Sequence, residues 1–238
     1  MCTVTYLPID ADSYLLTSNR DEHVARKPAL PFAKYEIHGS EVYFPKDTHA
    51  HGSWIAHNRG AFTLCLLNGA FEPHKHMPPY RLSRGIMLLD FFEHNNTAKF
   101  IHNYRFNDIE PFTLIVVEQV GNKIALTELR WDGQQMHQRE FNSSEPKIWS
   151  SVMLYPQPVI DLREKWFNEW LQQQTHETYD RITDFHLFAG DGHQARNLVF
   201  RDGMKHTVSI SSIHVQADKS KLWYRDLITN KTFIKEVS

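Results

Sequence analysis

The sequence predicts an α+β fold in which antiparallel sheets stack on one another and helices pack outside them. Short apolar segments bounded by turn residues recur along the chain, and such segments are typical of strands. Residues 158–173 form a strongly amphipathic pattern, which predicts a helix with one buried face. The elements follow one another as strands, a helix, strands, helices and strands, an order that favours the α+β class. The sequence shows no internal repeat and no clear linker, so we expect a single domain over 1–238.

The first third of the chain is predicted to consist mainly of strands. Residues 2–7 and 14–18 are strand-like, and the polar stretch 10–13 between them has the composition of a turn, so we expect a hairpin. The segments after this hairpin are predicted to be a Pro-containing loop over 26–35, strands over 53–56 and 62–67, and a polar, Pro-rich loop over 72–79.

The rest of the chain is predicted to contain both helices and strands. Leu82, Ile86 and Leu89 share one face of a predicted helix over 81–95. The pair Asp132-Gly133 follows a strand-like segment and is typical of a hairpin turn. The remaining predicted elements are strands over 112–118, 123–131, 147–153, 206–215 and 221–227, and helices over 158–173 and near 178–189.

Composition and charge argue against several classes of function. The formal net charge is −2 and the Lys and Arg residues are scattered, so we expect no nucleic acid partner and no electrostatic membrane anchor. No apolar run approaches the length of about 18 residues that membrane insertion requires, and the N-terminus lacks the regions of a signal peptide. Only two cysteines are present, too few for a disulfide framework. These features together predict a cytoplasmic protein.

Fifteen histidines raise the question of metal or haem ligation. His49 and His51 would share one face of a strand, and His74 and His76 lie in a predicted loop. No spacing such as His-Glu-x-x-His is present, however, and scattered surface histidines are the more common explanation. We therefore expect no metal site and no cofactor.

The residue with the clearest chemical potential is Cys2. Removal of Met1 would leave a thiol and a free α-amine on one residue, and an α-amine with a pKa of about 7.7–8.0 is a suitable base for that thiol. The other cysteine, Cys65, lies within an apolar run and is expected to be a buried hydrophobic residue. The alternative is that the cysteine at position 2 has no function.

A run of polar residues, Asn19-Arg20-Asp21-Glu22, ends the second predicted strand. In a hairpin the end of the second strand returns beside the start of the first, so this run is expected near Cys2. Arg20 is suited to hold a thiolate or a substrate carboxylate, and Asp21 to orient the α-ammonium. A solvated, charged turn is the alternative, and it is the common outcome for an isolated run of this kind.

Asn68 follows the predicted strand over 62–67 and precedes Gly69. A side-chain amide at the end of a buried strand is suited to donate to an oxyanion, and one such donor is worth roughly 2.7–4 kcal/mol. An Asn-Gly hairpin turn is the alternative, and spacing alone favours the turn.

Three segments taken together resemble a known family. They are Met-Cys-Thr-Val-Thr-Tyr at 1–6, Ser-Asn-Arg-Asp-Glu at 18–22, and the stretch from Gly-Ser-Trp-Ile-Ala to Leu-Asn-Gly at 52–69. With further similar segments at 149–155, 163–167 and 207–210, the resemblance to the NRDE family, also called the transport and Golgi organisation protein 2 family, spans essentially the whole chain. That family is similar to the N-terminal nucleophile hydrolases of the choloylglycine hydrolase and penicillin V acylase group.

The resemblance implies a four-layer αββα sandwich and the cleavage of linear amides. It implies that Cys2 is the nucleophile with its own amine as the base, that Asp21 contacts this amine, and that Asn68 is an oxyanion donor. Arg20 is close to the active-site Arg of the hydrolase group but offset by a residue or two.

The sequence also departs from the hydrolase pattern. The group has a second active-site Asn where the best match here is Ser151, and a late active-site Arg for which Lys205 or His206 is the nearest candidate. The nucleophile side of the site is therefore complete, and the side that stabilises the transition state is altered. The residues expected to contact substrate are Asn19, Glu22, Ser151 and His206.

Two hypotheses of different class follow. The leading one is a cysteine hydrolase that acts on a linear carbon–nitrogen amide bond. The second is a non-catalytic binding or trafficking protein for a hydrophobic ligand, such as an acyl lipid or haem, on the same fold. The expected partner is accordingly a small-molecule amide or a hydrophobic ligand, and the sequence leaves the oligomeric state open.

Overall fold

Two antiparallel sheets stacked face to face form the centre of the molecule in a computed structural model of the chain, which describes residues 3–121, 123–216 and 219–238. In chain order, the strands in these ranges are β1 (Thr3–Pro8), β2 (Tyr14–His23), β3 (Leu30–Ile37), β4 (Ser40–Lys46), β5 (Ile55–Asn58), β6 (Phe62–Asn68), β7 (Phe112–Val120), β8 (Lys123–Trp131), β9 (Met136–Phe141), β10 (Lys147–Ser150), β11 (Arg201–Asp202), β12 (Lys205–Val215), β13 (Ser220–Asp226) and β14 (Lys231–Val237). The helices are α1 (Arg84–His94), α2 (Thr97–Asn103), α3 (Gln157–Gln172) and α4 (Ile182–Phe188), with a 3-10 helix at His176–Arg181 leading into α4.

Strand order places the start of β1 next to the ends of β2 and β10, at one end of the first sheet. This sheet is ordered β10-β1-β2-β12-β13-β14, with β11 paired to β12, and the second sheet follows chain order from β3 to β9. Thr3 pairs with Asn19 of β2 on one side and with Ser150 of β10 on the other. Because antiparallel neighbours run in opposite directions, the start of β1 lies beside the ends of β2 and β10.

Helices cover the outer face of each sheet, which completes a four-layer αββα sandwich. Leu16 of β2 packs between the sheets, against residues that include Cys65 and Ile115, whereas Leu15 packs outward against Phe167 of α3 and other residues of the helical layer. On the far side, α1 and α2 pack on the second sheet through Met87, Leu88, Phe91, Phe92 and Phe100. Side chains alternate along a strand, so a strand buried on both faces needs a continuous apolar run. The run from Phe112 to Val117 in β7 is of this kind. The predicted fold class is confirmed.

Two glycines bring the start of α1 against the chain before β5. The helix begins after Ser83, whose hydroxyl accepts a hydrogen bond from the amide of Ile86. A Cβ atom on Gly52 would lie 2.3 Å from the carbonyl carbon of Gly85, and the amide of Ser53 donates to the Gly85 carbonyl at 3.1 Å. This close approach forms one wall of the cleft described below.

Edge strands account for most differences from the sequence-based prediction. The stretch 26–35 was predicted to be a loop, but Leu30–Ile37 forms β3, an edge strand in which Pro31 is tolerated. The strands β9 and β14, which sequence patterns did not predict, also lie at sheet edges, and β14 is exposed at every residue but the last. An edge strand that buries little apolar surface has no alternation of apolar and polar residues in its sequence, so sequence patterns do not reveal it. The strand β4 and the short helix α2 were likewise not predicted, and β10 ends at Ser150 rather than at 153.

Within the described part of the chain, no helix combines the length and the apolar character needed to cross a membrane.

Candidate active site

A cleft of about 370 Å³ opens where the ends of β2 and β6 meet the start of α1. Arg20 and Glu22 of β2, Trp54, Asn68 of β6 and Arg84 of α1 are among the residues that line it. Three of the predicted site residues, Arg20, Glu22 and Asn68, therefore lie in one cavity.

Arg20 lies at the base of this cleft with only 5 % of its side chain exposed. Its Nη2 donates to Oδ2 of Asp47 at 2.5 Å, and its guanidinium lies 4.6 Å above the centre of the Trp54 ring. A more distant carboxylate oxygen, from Glu22, is 3.7 Å away. These contacts on several sides hold the guanidinium in one position.

Asp47 is the anion on which the basic side of the cleft is organised. Its Oδ2 contacts Arg20 and lies 3.0 Å from Nη2 of Arg26, while Oδ1 accepts the amides of His49 and Ala50, each at 2.8 Å. Burial raises the pKa of Asp47, but the hydrogen bond from the Ala50 amide and the charge of Arg20 outweigh burial, so the pKa is lowered overall. Asp47 is therefore ionised and pairs with both guanidiniums, to which Glu22 contributes a second carboxylate at 3.7 Å from Arg20 and 3.2 Å from Arg26.

The opposite wall is built around a second ion pair. Nη2 of Arg84 lies 3.0 Å from Oε2 of Glu110, and His74 Nε2 and His76 Nδ1 each lie 3.1 Å from Glu110 Oε1. Burial raises the pKa of Glu110, but the charge of Arg84 and the hydrogen bonds from His76 and His74 lower it overall. The loop predicted over 72–79 is thereby tied to the rim of the cleft.

Asn68 stands between the cleft and a second, smaller pocket of about 200 Å³, because it lines both. Ser151 lines the second pocket and donates its hydroxyl to the backbone carbonyl of Asn68 at 2.8 Å. This bond joins the end of β10 to the end of β6. It also uses the only proton of the Ser151 hydroxyl, which is then not available for an oxyanion.

Asn19 lies on the other face of β2 and is fully buried. Its Nδ2 donates to the carbonyls of Leu198, at 2.8 Å, and His186, at 3.3 Å, so its Oδ1 accepts from Nδ1 of His186. Nε2 of His186 then accepts from the Thr5 hydroxyl at 2.7 Å. Burial lowers the pKa of His186 to about 3, so the imidazole is neutral. Asn19 thus joins β2 to α4 and does not line the cleft.

Asp21 lies on the same face as Asn19 and is 5 % exposed. Its Oδ1 accepts from the Thr207 hydroxyl at 2.5 Å, and its Oδ2 accepts from the hydroxyl of Tyr155. Adjacent residues of β2 therefore serve opposite faces of the sheet, with Arg20 in the cleft and Asp21 under the helical layer.

The remaining predicted residues fall into three cases. Cys2 lies outside the described residues. His206 pairs with Glu22 in the sheet register but is not among the described residues that line either pocket. Cys65 is buried as predicted, and burial raises its pKa to about 12, which makes it an inert thiol. Nowhere in the described ranges do three or more His, Cys, Asp or Glu side chains group in a way that could hold a metal ion.

Sequence patterns did not indicate Asp47, Arg26 or Glu110 as site residues. Arg26 precedes β3 and Asp47 directly follows β4, both outside any recognised motif, and Glu110 lies in the chain between α2 and β7. Trp54 belongs to a motif segment but was not assigned a role.

A comparison with known families identifies the family of this chain. The family model described as Transport and Golgi organisation 2 matches residues 1–225. The chain belongs to this family. No curated protein matches the sequence.

Solved structures with the same fold include a bile acid hydrolase and an acid amidase. One variant of the conjugated bile acid hydrolase from Clostridium perfringens has a TM-score of 0.64 at 10 % identity, covering 99 % of this chain and 92 % of its own. A second variant of that enzyme has a TM-score of 0.57 at 9 % identity, covering 100 % and 92 %. The Caenorhabditis elegans orthologue of N-acylethanolamine-hydrolysing acid amidase has a TM-score of 0.53 at 10 % identity, covering 89 % and 92 %. At such identities the likeness establishes the shared N-terminal nucleophile hydrolase fold of this family member.

Proposed function

We propose that this protein is an N-terminal cysteine hydrolase that cleaves linear carbon–nitrogen amide bonds, with Cys2 as the nucleophile after Met1 is removed. The observation that supports this most directly is the convergence of strand ends. The start of β1 lies beside the end of β2, where Arg20 lines the cleft, and the end of β6 brings Asn68 to the same cleft.

The position of Cys2 in the sequence supports its assignment. It directly precedes Thr3, and Thr3 pairs with Asn19, the residue before Arg20. The Thr3 side chain points to the helical layer, where Arg163 binds it. The proposed mechanism requires the Cys2 thiol to reach the cleft, on the opposite face of the sheet from the Thr3 side chain.

The proposed reaction has two steps. The α-amine of Cys2 takes the thiol proton, and the thiolate attacks the amide carbonyl carbon while the Asn68 amide donates to the oxyanion. Collapse of the tetrahedral intermediate breaks the carbon–nitrogen bond, and the ammonium of Cys2 returns its proton to the leaving nitrogen. Water, activated by the same amine, then hydrolyses the thioester and regenerates the thiol.

The two pockets support a substrate with polar groups on both sides of the scissile bond. The cleft carries three guanidiniums and three carboxylates, those of Arg20, Arg26, Arg84, Glu22, Asp47 and Glu110. The smaller pocket is lined by hydroxyl, amide and charged groups, including those of Thr113, Arg130 and Glu164. Asn68 separates the two, so one half of a linear amide would occupy each pocket.

The test compares Cys2→Ala with the matched control Cys65→Ala. Intact mass of the untagged protein first establishes whether Met1 is removed. On an amide that the wild type hydrolyses, found by screening amides with polar groups on both sides, Cys2→Ala should lose all measurable turnover, because the chain's other thiol, that of Cys65, is buried and does not line the cleft. Cys65→Ala should retain turnover because its thiol is buried. Equal turnover in Cys2→Ala and wild type would refute the mechanism, as would quantitative retention of Met1.

One observation favours a second candidate function, binding without catalysis. The Ser151 hydroxyl is engaged with the Asn68 carbonyl, so the position that resembles a second oxyanion amide supplies no free donor. Loss of one such donor costs roughly 10²–10³ in turnover. A protein that holds a small ligand in this cleft without cleaving it would need no second donor.

Native mass spectrometry distinguishes the two candidates. A small molecule that co-purifies with wild type and with Cys2→Ala alike, unchanged in mass, supports binding. A covalent acyl adduct confined to Cys2 supports the hydrolase.

A further inference from the structure

Arg20 has hydrogen-bonding capacity in the cleft that the described residues do not use. A guanidinium carries five N–H groups, and among the described residues only Asp47 accepts one of them, from Nη2 at 2.5 Å. None of the nitrogen atoms of Arg20 is both buried and without a partner, so its remaining N–H groups face the open space of the cleft that Arg20 lines. Because Asp47 and the Trp54 ring hold the guanidinium in one position, these donors are already oriented for a ligand.

The other unpaired polar groups of the cleft are donors as well. The indole Nε1 of Trp54, a residue only 2 % exposed, and Nε of Arg26 have no acceptor among the described residues. The backbone amides of Arg84 and Gly85, in the first turn of α1, also donate to no residue that the structure describes. Each of these groups requires an acceptor, and the start of a helix favours an acceptor that is negatively charged.

The carboxylates of the cleft, by contrast, are already paired. Asp47 binds two guanidiniums, Glu22 lies 3.2 Å from one of them, and Glu110 binds a third guanidinium and two histidines. The formal charges of the guanidiniums and carboxylates balance, so the inventory of hydrogen bonds, rather than net charge, indicates the ligand. The unused capacity belongs to donors, and a ligand that satisfies it presents acceptors.

We propose that the cleft binds an anionic oxygen group, a carboxylate or a phosphate, with Arg20 as its main donor. The proposal rests on the proposed function and narrows its substrate class: the linear amide carries such a group on the side that occupies the cleft. Hydrogen bonds from a guanidinium to an anionic oxygen are shorter and stronger than those between neutral groups. A guanidinium that is held in place before the ligand arrives also loses little freedom on binding.

The experiment follows the indole N–H signals of nitrogen-15-labelled protein by NMR while a probe is added. Trp54 lines the cleft and Trp149 lines the smaller pocket, so their signals, assigned with Trp54→Phe and Trp149→Phe, report which pocket is occupied. The probes are succinamate, a linear amide with a carboxylate; succinamide, its uncharged analogue; and inorganic phosphate. The protein carries Cys2→Ala, which removes the proposed nucleophile.

Arg20→Gln is the decisive variant, and Arg130→Gln is its matched control. Arg130 lines the smaller pocket and pairs with Glu128 at 2.8 Å, much as Arg20 pairs with Asp47. Arg20→Lys keeps a positive charge beside Asp47 but loses the planar set of donors, and it takes the place of Arg20→Gln should that variant fail to fold.

Succinamate should shift the Trp54 signal and bind about tenfold more tightly than succinamide, because a hydrogen bond to a charged acceptor contributes more than one to a neutral acceptor. The affinity for succinamate should fall in Arg20→Gln and in Arg20→Lys, and it should stay unchanged in Arg130→Gln. Tighter binding of inorganic phosphate than of succinamate would identify the bound group as a phosphate, and the reverse order would identify it as a carboxylate.

Equal affinities for succinamate and succinamide would overturn the proposal. So would an unchanged affinity for succinamate in the folded Arg20 variants, no shift of the Trp54 signal with either anion, or a shift of the Trp149 signal alone. Binding of an anion at Trp54 by a protein that, with Cys2 present, cleaves no amide would uphold the anion site and refute the hydrolase. Hydrolysis that shows no preference for amides with an anionic group would refute the anion site and leave the hydrolase intact.

Discussion

At the scale of single residues, alternation along β2 assigns different roles to neighbouring side chains. Arg20 faces the cleft and is held by Asp47 and Trp54, whereas Asn19 and Asp21 face the helical layer and bond to His186 and to Tyr155. The polar residues at the end of β2 therefore divide between the two faces of the sheet.

Asp47→Asn tests whether the buried ion pair organises the cleft. The change removes the carboxylate closest to both guanidiniums and leaves only Glu22, at 3.7 Å from Arg20 and 3.2 Å from Arg26, and loss of one partner of a buried pair costs about 3 kcal/mol. We expect a fall of that order in the free energy of unfolding, measured by urea denaturation at pH 7. The matched control is Glu169→Gln, which breaks an exposed pair with Lys165 of 3.8 Å and should change stability little. Equal effects of the two changes would contradict this account.

At the scale of elements, the wall of the cleft depends on the contact between the start of α1 and the chain before β5. Neither Gly52 nor Gly85 has a positive φ, so glycine is needed there because a side chain would not fit, and not because of the backbone conformation. The close approach places Ser83 and Arg84 at the cleft and lets Arg84 reach Glu110.

Gly52→Ala should displace α1 and open this wall. A Cβ atom at 2.3 Å from a backbone carbon cannot be accommodated without movement, and overpacking of this kind costs about 3 kcal/mol. Gly39→Ala is the control: its Cβ would meet nothing within 4 Å, and only the left-handed backbone at φ +75° opposes it, at about 1 kcal/mol. Thermal unfolding of both variants measures the difference, and a smaller loss in Gly52→Ala than in Gly39→Ala would show that α1 adjusts freely.

At the scale of the whole molecule, buried histidines join the layers. His57 of β5 contacts Thr63 at 2.8 Å and Ser220 of β13 at 2.9 Å, which links the two sheets across the core. His186 links α4 to β1 and β2 through Thr5 and Asn19. Burial lowers the pKa of His57 to about 4 and that of His186 to about 3.

These lowered pKa values predict a loss of stability in mild acid. Between the ordinary histidine value of 6.5 and about 4, the unfolded chain binds protons at these two positions that the folded protein does not. The free energy of unfolding should therefore fall as pH falls through this window, by roughly 1 kcal/mol per pH unit for each histidine. Urea denaturation from pH 7.5 to 4.5 measures the slope.

His57→Gln is the informative variant for this pH dependence. The glutamine amide cannot take up a proton. The slope of the free energy of unfolding against pH should therefore decrease by the contribution of one histidine, even if the variant is less stable at every pH. A slope equal to that of wild type would exclude His57 as a source of the acid sensitivity.

The sequence by itself determined the local elements and the identity of the motif residues. The hairpin of β1 and β2, the apolar strands β6 to β8 and the amphipathic helix α3 were predicted because each buries enough apolar surface to leave a periodic pattern. The edge strands β3, β9 and β14 escaped prediction because they bury too little.

Only the tertiary structure decided which face of each strand meets the cleft and which partners close the site. The bond from Arg20 to Asp47 joins residues 27 positions apart, and that from Arg163 to Thr3 joins residues 160 apart. No local sequence pattern encodes such a pairing, because it depends on the order of strands in the sheet and on how the helices pack on the sheets. The sequence therefore indicated Arg20, Asp21 and Asn68. In the tertiary structure, alternation along β2 directs Asp21 away from the cleft, and the packing of the layers brings Asp47 and Glu110 to the cleft and Tyr155 and Arg163 to the opposite face.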